Sequence, residues 1–352
     1  MNYRGQQMYA IDNGSRSYYV PKNDDMVRRY MPSLYTIAME MKKGGDVLVI
    51  ASGGGQELTM ASHFGMNRID AVEIARPMVN DIVQHKKDEP GNPYLLPNVH
   101  YYIADGRSVI MRSKHRYDMI QMLDVNFATL AGQISHAWSP NFVSTQEAFS
   151  EYMEHLKEGG ILCYSIISNI KTPLAGQKNR RLASLVAGMK MAGIGRPEDQ
   201  LVILSRGSSA YGYRTMFMAK KSPFTPEELV TIREIAASRS SQIEVLYPDL
   251  EMVVGNRPSQ LPEGEVLQKT RNYLQGVTDL CRNTQPIPGL TATLGIPNGR
   301  DIPVNDDRPY LLGSGLISKT NPMESLIEGL YRPLLKIMGV LAFVFLAVPF
   351  VV

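Results

Sequence analysis

The chain has 352 residues, 44% of them hydrophobic and 20% charged, with a formal net charge of +3. These are the values of a globular protein of about two domains, which excludes a disordered, collagen-like or coiled-coil chain. The weak charge leaves no footprint for nucleic acid, and the two cysteines, Cys163 and Cys281, exclude a disulfide scaffold and a Cys/His metal cluster.

Residues 1–30 read as a β-hairpin leader, with strands at 7–11 and 17–20 around Asp12-Asn13-Gly14. Residues 1–5 have no apolar core of a secretory leader, and with so few cysteines a reducing compartment is expected. A helix is expected over 31–43, stopping at Gly44-Gly45. Strands and helices then alternate. Strands are expected at 46–51, 69–74, 99–104, 117–123 and 160–167, with helices at 56–64, 77–86, 145–156 and 178–192. Continuous apolar strands separated by helices imply a doubly wound, mostly parallel Rossmann-like sheet, covered on both faces. Late strands at 201–204 and 215–219 follow without a full helix between them, so this end of the sheet is expected to be antiparallel. Thr225-Pro226-Glu227-Glu228 is a helix start with cap, proline and capping-box acid. Residues 240–300 suggest no fold.

Residues 337–352 carry no charge, and 334–352 are interrupted only by Lys336. A bilayer core takes about 17–25 apolar residues. The segment 333–352 therefore reads as an apolar helix that meets a membrane, and a buried core helix is the competing reading. Arg332 and Lys336 place the preceding domain on the cytoplasmic face.

The first apolar strand runs into Ser52-Gly53-Gly54-Gly55-Gln56-Glu57. Glycines at a strand-to-helix turn let the backbone approach a ligand closely. Glu73 ends the next strand, where an acid can accept from both ribose hydroxyls. Asp105-Gly106-Arg107 ends the third, where an acid can accept from an adenine amine. The dinucleotide fingerprint needs a third glycine, and Leu58 stands there. Residues 125–142 form a long loop after the fourth strand, suited to a lid. Phe127 can hold a cation against its ring, and His136 is a candidate second base. The other histidines show no ligand spacing, so no metal site is expected.

Several segments between 46 and 167 together resemble the polyamine aminopropyltransferase (spermidine synthase) family, within the class I S-adenosylmethionine-dependent fold. They are Val47 through Gly55, Asp70-Ala71-Val72-Glu73-Ile74, Ala104-Asp105-Gly106-Arg107, Tyr117-Asp118-Met119-Ile120 and Thr145-Gln146-Glu147-Ala148-Phe149. Asn305-Asp306-Asp307-Arg308-Pro309-Tyr310 is similar to a segment of membrane-fused members. The resemblance implies S-adenosylmethionine or its decarboxylated form as co-substrate, held by Gly53, Gly54, Gly55, Gln56, Glu73, Asp105 and Gly106. It implies Asp124 as the acid that takes a proton from an attacking amine, with Phe127 and His136 in the substrate pocket, and it implies a homodimer. The expected domains are 1–30, 31–220, 221–332 and 333–352.

Two departures bear on the donor. The family reads Asp-Gly where this chain has Gln56-Glu57, and it reads Asp-x-x-Asp where this chain has Asp124-Val125-Asn126-Phe127. The family expectation is aminopropyl transfer to a small amine. The departures favour intact S-adenosylmethionine, hence methyl or aminocarboxypropyl transfer. A nucleoside-binding sensor on a membrane protein, without turnover, is the alternative of another class.

Overall fold

The computed structural model describes residues 2–3, 6–11, 15–125, 142–168, 175–206, 213–240, 243–248 and 265–282. All of them lie in one compact unit, residues 1–312. The expected helix at 333–352, the Asp-Asp-Arg-Pro segment, Phe127 and His136 lie outside the described residues. Among the described residues, no helix is long and apolar enough to cross a membrane.

The leader forms a small antiparallel sheet of β1 (Asn2–Tyr3), β2 (Gln6–Ile11) and β3 (Ser15–Tyr18). It continues into a helix the sequence reading missed, α1 (Asp24–Tyr30), capped by the Asn23 side chain on the Met26 amide. α1 buries no residue, so it has no apolar stripe to read. The helix expected over 31–43 is shorter. Ser33 accepts from the Tyr35 amide and opens a 3-10 turn, Leu34–Thr36, which leads into α2 (Ile37–Met41).

The main sheet contains β4 (Asp46–Ile50), β5 (Arg68–Glu73), β6 (Val99–Ile103), β7 (Tyr117–Met122), β8 (Leu156–Ser168), β9 (Leu201–Arg206), β10 (Tyr213–Lys220) and β11 (Ile243–Tyr247). Their order is β11-β9-β10-β8-β7-β4-β5-β6. The five strands from β8 to β6 are parallel, while β10, β9 and β11 join antiparallel. The chain leaves β4 toward β5 and β6, then returns to the other side of β4 through β7. The topological switch point therefore lies between β4 and β7, where open sheets of this kind bind ligands at the carboxyl ends.

Alternate residues of each central strand feed two cores. Val47 and Val49 of β4 pack with Leu58, Met60 and Ala61 of α3 (Gln56–His63), and with Met78 and Val79 of α4 (Arg76–Asn80). Leu48 and Ile50 pack on the other face with Ile110 of α5 (Gly106–Arg112). Phe149 and Tyr152 of α6 (Gln146–Glu154), and Leu182 and Val186 of α7 (Ala175–Met191), belong to that second core. Two apolar faces on one strand produce the unbroken run Val47-Leu48-Val49-Ile50, and each such side chain stabilises the fold by roughly 1.5–3 kcal/mol when buried. This is a doubly wound, Rossmann-like architecture.

Three expectations need correction. The helix expected over 77–86 splits into α4 and a π-helical turn, Asp81–His85. The boundary expected at 220 does not end the sheet domain. α8 (Pro226–Arg239), with its full Thr225–Glu228 capping box, puts Ile232 and Ala236 into the first core, and β11 extends the sheet itself. Residues 240–300, which suggested no fold, hold β11 and α9 (Glu265–Arg282), whose Leu274 and Val277 pack in the second core.

Candidate active site at the strand ends

The turn after β4 is left-handed at Ala51 (φ 60°), Gly53 (φ 53°) and Gly55 (φ 95°), and Gly55 opens α3. Each of its glycine amides has a protein acceptor. The Gly53 amide donates to Glu73 Oε2 at 2.9 Å, the Gly54 amide to Ser17 Oγ at 2.7 Å, and the Gly55 amide to the Ser52 carbonyl at 3.0 Å. The close approach that the glycines allow is thus made by the protein itself. A Cβ on Gly54 would stand 2.0 Å from the Tyr18 carbonyl oxygen, and one on Gly55 2.3 Å from Pro93 Cγ. Buried Tyr94 locks the turn from below, donating to the Gly53 carbonyl at 2.6 Å, with Ser52 Oγ at 2.9 Å.

Glu73 ends β5 and is buried. Oε2 takes the Gly53 amide and Oε1 takes the Ala75 amide at 2.8 Å. A carboxylate oxygen has two acceptor positions, so one remains on each. Ile74 follows it with 71% of its surface exposed, an apolar platform beside the acid. Asp105 caps α5 through Oδ1, on the Ser108 amide at 2.8 Å, and its Oδ2 has no partner among the described residues. Gly106 is the buried first residue of α5, against Ile50. Gln56 is the first residue of α3, and its side chain donates to Glu57 Oε1 at 3.2 Å.

Across the switch point, Asp124 lies just past β7 with φ 49°. Left-handed backbone costs a non-glycine residue roughly 1–2 kcal/mol, less for Asp than for most. Ser165 on β8 holds it there. Its hydroxyl accepts from the Asp124 amide at 3.0 Å and donates to Oδ1 at 2.8 Å. Oδ2 accepts the Tyr35 hydroxyl at 2.6 Å, and Arg214 Nε of β10 stands 3.8 Å from it. The guanidinium lies over the Tyr35 ring, 5.6 Å from its centroid. Burial and the adjacent Asp124 carboxylate push the Tyr35 hydroxyl well above its ordinary range, so it stays protonated and donates.

Glu57 completes the group. Burial pushes its carboxyl up to about 7 against the pull of its own amide; the Asp124 charge adds to the rise and Arg214 opposes it. A carboxyl poised near neutrality can take or give a proton at working pH.

The structure therefore brings Gly53, Gly54, Gly55, Gln56, Glu73, Asp105, Gly106 and Asp124 to one rim. Sequence reasoning missed Tyr35, Tyr94, Ser165 and Arg214. Ser33 beside Tyr35, a cap before a turn, was the one local signal among them.

No family model matches the chain, and no curated protein matches it in sequence. Solved structures with a similar backbone include a probable spermidine synthase from Corynebacterium glutamicum, at 16% identity and TM-score 0.48, covering 72% of this chain and 91% of that one. Spermidine synthase from Thermotoga maritima matches at 13% identity and TM-score 0.43, covering 78% of this chain and 84% of its own. Human methyltransferase-like protein 13, solved with SAH, matches at 16% identity and TM-score 0.39, covering 62% of this chain and 92% of its own.

Proposed function

We propose that this chain binds an S-adenosyl sulfonium ligand along the strand ends and transfers one of its sulfur-linked groups to a nucleophile. The observation that carries the reading is the distribution of hydrogen-bonding capacity on the rim. The glycine-turn amides are committed to protein acceptors, while Glu73 and Asp105 keep acceptor positions. A dinucleotide pyrophosphate needs those amides. A nucleoside without phosphates needs acceptors instead, for its ribose hydroxyls and its adenine amine. Leu58 in place of the third fingerprint glycine agrees with this.

In the reaction, the nucleophile's lone pair attacks a carbon bonded to the sulfonium. The new bond forms as the carbon–sulfur bond breaks. Sulfur keeps the bonding pair and becomes a neutral thioether, and the nucleophile's proton passes to a carboxylate. Asp124 lies on the side of the glycine turn away from Glu73, so a ligand seated on Glu73 and Asp105 points its sulfur toward it.

Two donors fit this scheme. Aminopropyl transfer from decarboxylated S-adenosylmethionine to an amine is the version the family resemblance implies. It calls for acids around both amines. Methyl or aminocarboxypropyl transfer from the intact donor is favoured by Arg214, a guanidinium placed where the first version calls for acids. We further propose that residues 333–352 hold the domain at the cytoplasmic face of a membrane. Recovery of the full chain in the soluble fraction overturns that part.

Calorimetric titration of the full chain with S-adenosylmethionine, its decarboxylated form and NAD tests the main reading. Saturable binding of an S-adenosyl ligand is expected, weakened about tenfold or more by Glu73→Ala. Tighter binding of NAD than of either donor overturns it.

A further inference from the structure

Arg214 is the least committed charge at the site. Its nearest carboxylate contact is Asp124 at 3.8 Å, beyond hydrogen-bond length, and 41% of its side chain is exposed. A guanidinium has five N–H donors, and among the described residues none of them makes a hydrogen bond. Arg107 shows what a satisfied arginine looks like in the same fold, donating to both oxygens of Glu151 at 2.7 and 2.6 Å.

A second arginine stands opposite. Arg206 of β9 is the ladder partner of Arg214, and like charges in directly opposed positions destabilise a sheet. Arg206 is anchored on the Pro32 carbonyl at 2.8 Å, and Arg214 is left facing the rim. The positive charge exceeds what the neighbouring acids balance near neutral pH. Asp124 supplies one carboxylate, and Glu57, held up to about 7, is only partly ionised.

The position of this charge is set by the strand order. Asp105, Glu73, the glycine turn and Asp124 mark the ends of β6, β5, β4 and β7 in sequence across the sheet, a span of three strand spacings or about 14 Å. An adenosine on the first two acids leaves the ligand's tail crossing the turn toward Asp124, Glu57 and Arg214.

Resting on the S-adenosyl reading above, we propose that Arg214 is a specificity-determining residue that holds the carboxylate of the donor's α-amino-acid head. The head's ammonium faces Asp124 and Glu57, so the cluster suits a zwitterion. The substrate class is then intact S-adenosylmethionine.

The test is calorimetry of the full chain with S-adenosylmethionine, decarboxylated S-adenosylmethionine and 5′-methylthioadenosine, which lacks the tail. The intact donor is expected to bind about tenfold or more tightly than the decarboxylated one. Arg214→Gln should erase that preference while leaving 5′-methylthioadenosine affinity within about twofold, and Arg214→Lys should restore part of it. The unchanged 5′-methylthioadenosine affinity also certifies that the variant folds. Equal affinity of wild type for the two donors, or a preference that survives Arg214→Gln, overturns the proposal while the nucleoside reading stands. Failure of 5′-methylthioadenosine and both donors to bind wild type overturns both.

Discussion

The Tyr35 hydroxyl donates to Asp124 Oδ2 at 2.6 Å, tying a short turn ahead of the sheet to the end of a central strand. The two residues are 89 positions apart. The same tyrosine's carbonyl accepts from Gln121 Nε2 at 3.0 Å, so both its ends are fixed to β7 and its exit.

Tyr35→Phe removes a donor from a part-buried carboxylate. A hydrogen bond to a charged group contributes about 1.5–3 kcal/mol, so chemical denaturation should show a loss in that range. The loss should shrink when Asp124 is already Asn, because the partner charge is gone. An unchanged midpoint in the single variant refutes the tie.

Asp124→Asn separates an enzyme from a sensor. An enzyme that passes its proton to Asp124 should lose turnover by about 100-fold or more, read as conversion of the S-adenosyl ligand to thioether with a panel of amines. Its affinity for 5′-methylthioadenosine should stay unchanged. A sensor has no turnover to lose.

The raised carboxyl of Glu57 predicts a pH dependence of stability. Because the folded state favours its neutral form, Glu57 contributes fully below about pH 4.5, and that contribution is lost as pH rises through about 7. From 4.5 to about 7, at about 1.4 kcal/mol per unit, the loss is roughly 3–4 kcal/mol. Glu57→Gln is neutral throughout, so urea midpoints at pH 5 through 8 should fall less steeply for the variant. Parallel curves refute the assignment.

Gly54→Ala forces a methyl to within 2.0 Å of the Tyr18 carbonyl oxygen. The hairpin must move or detach, at a cost of about 1–3 kcal/mol. Limited proteolysis should cut residues 15–20 faster in the variant than in wild type.

The sheet was legible because strands buried on both faces are written as unbroken apolar runs, and glycines marked their ends. α5 escaped notice because its seven residues bury only Gly106 and Ile110. β11 escaped because its five residues are too few to declare an alternation, and a bulge falls between Val245 and Tyr247. Glu73 and Asp105 were singled out by position, as acids at the ends of parallel strands, and Asp124 by the family resemblance. Tyr35 and Arg214 were not, since what they do depends on a meeting of distant segments. The glycine turn was read as open to a ligand, whereas Tyr18 and Pro93 fill the space that its missing side chains leave.

That filling has a consequence for how the protein can be watched. The Val20 amide donates to the Gly54 carbonyl at 3.0 Å, and Ser17 accepts from the Gly54 amide. β3 and the residues just after it are therefore bonded to the turn beside which the S-adenosyl ligand is proposed to sit. Anything that stiffens the turn stiffens the segment bonded to it, so exchange of the Val20 amide with solvent is expected to report occupancy of the proposed site.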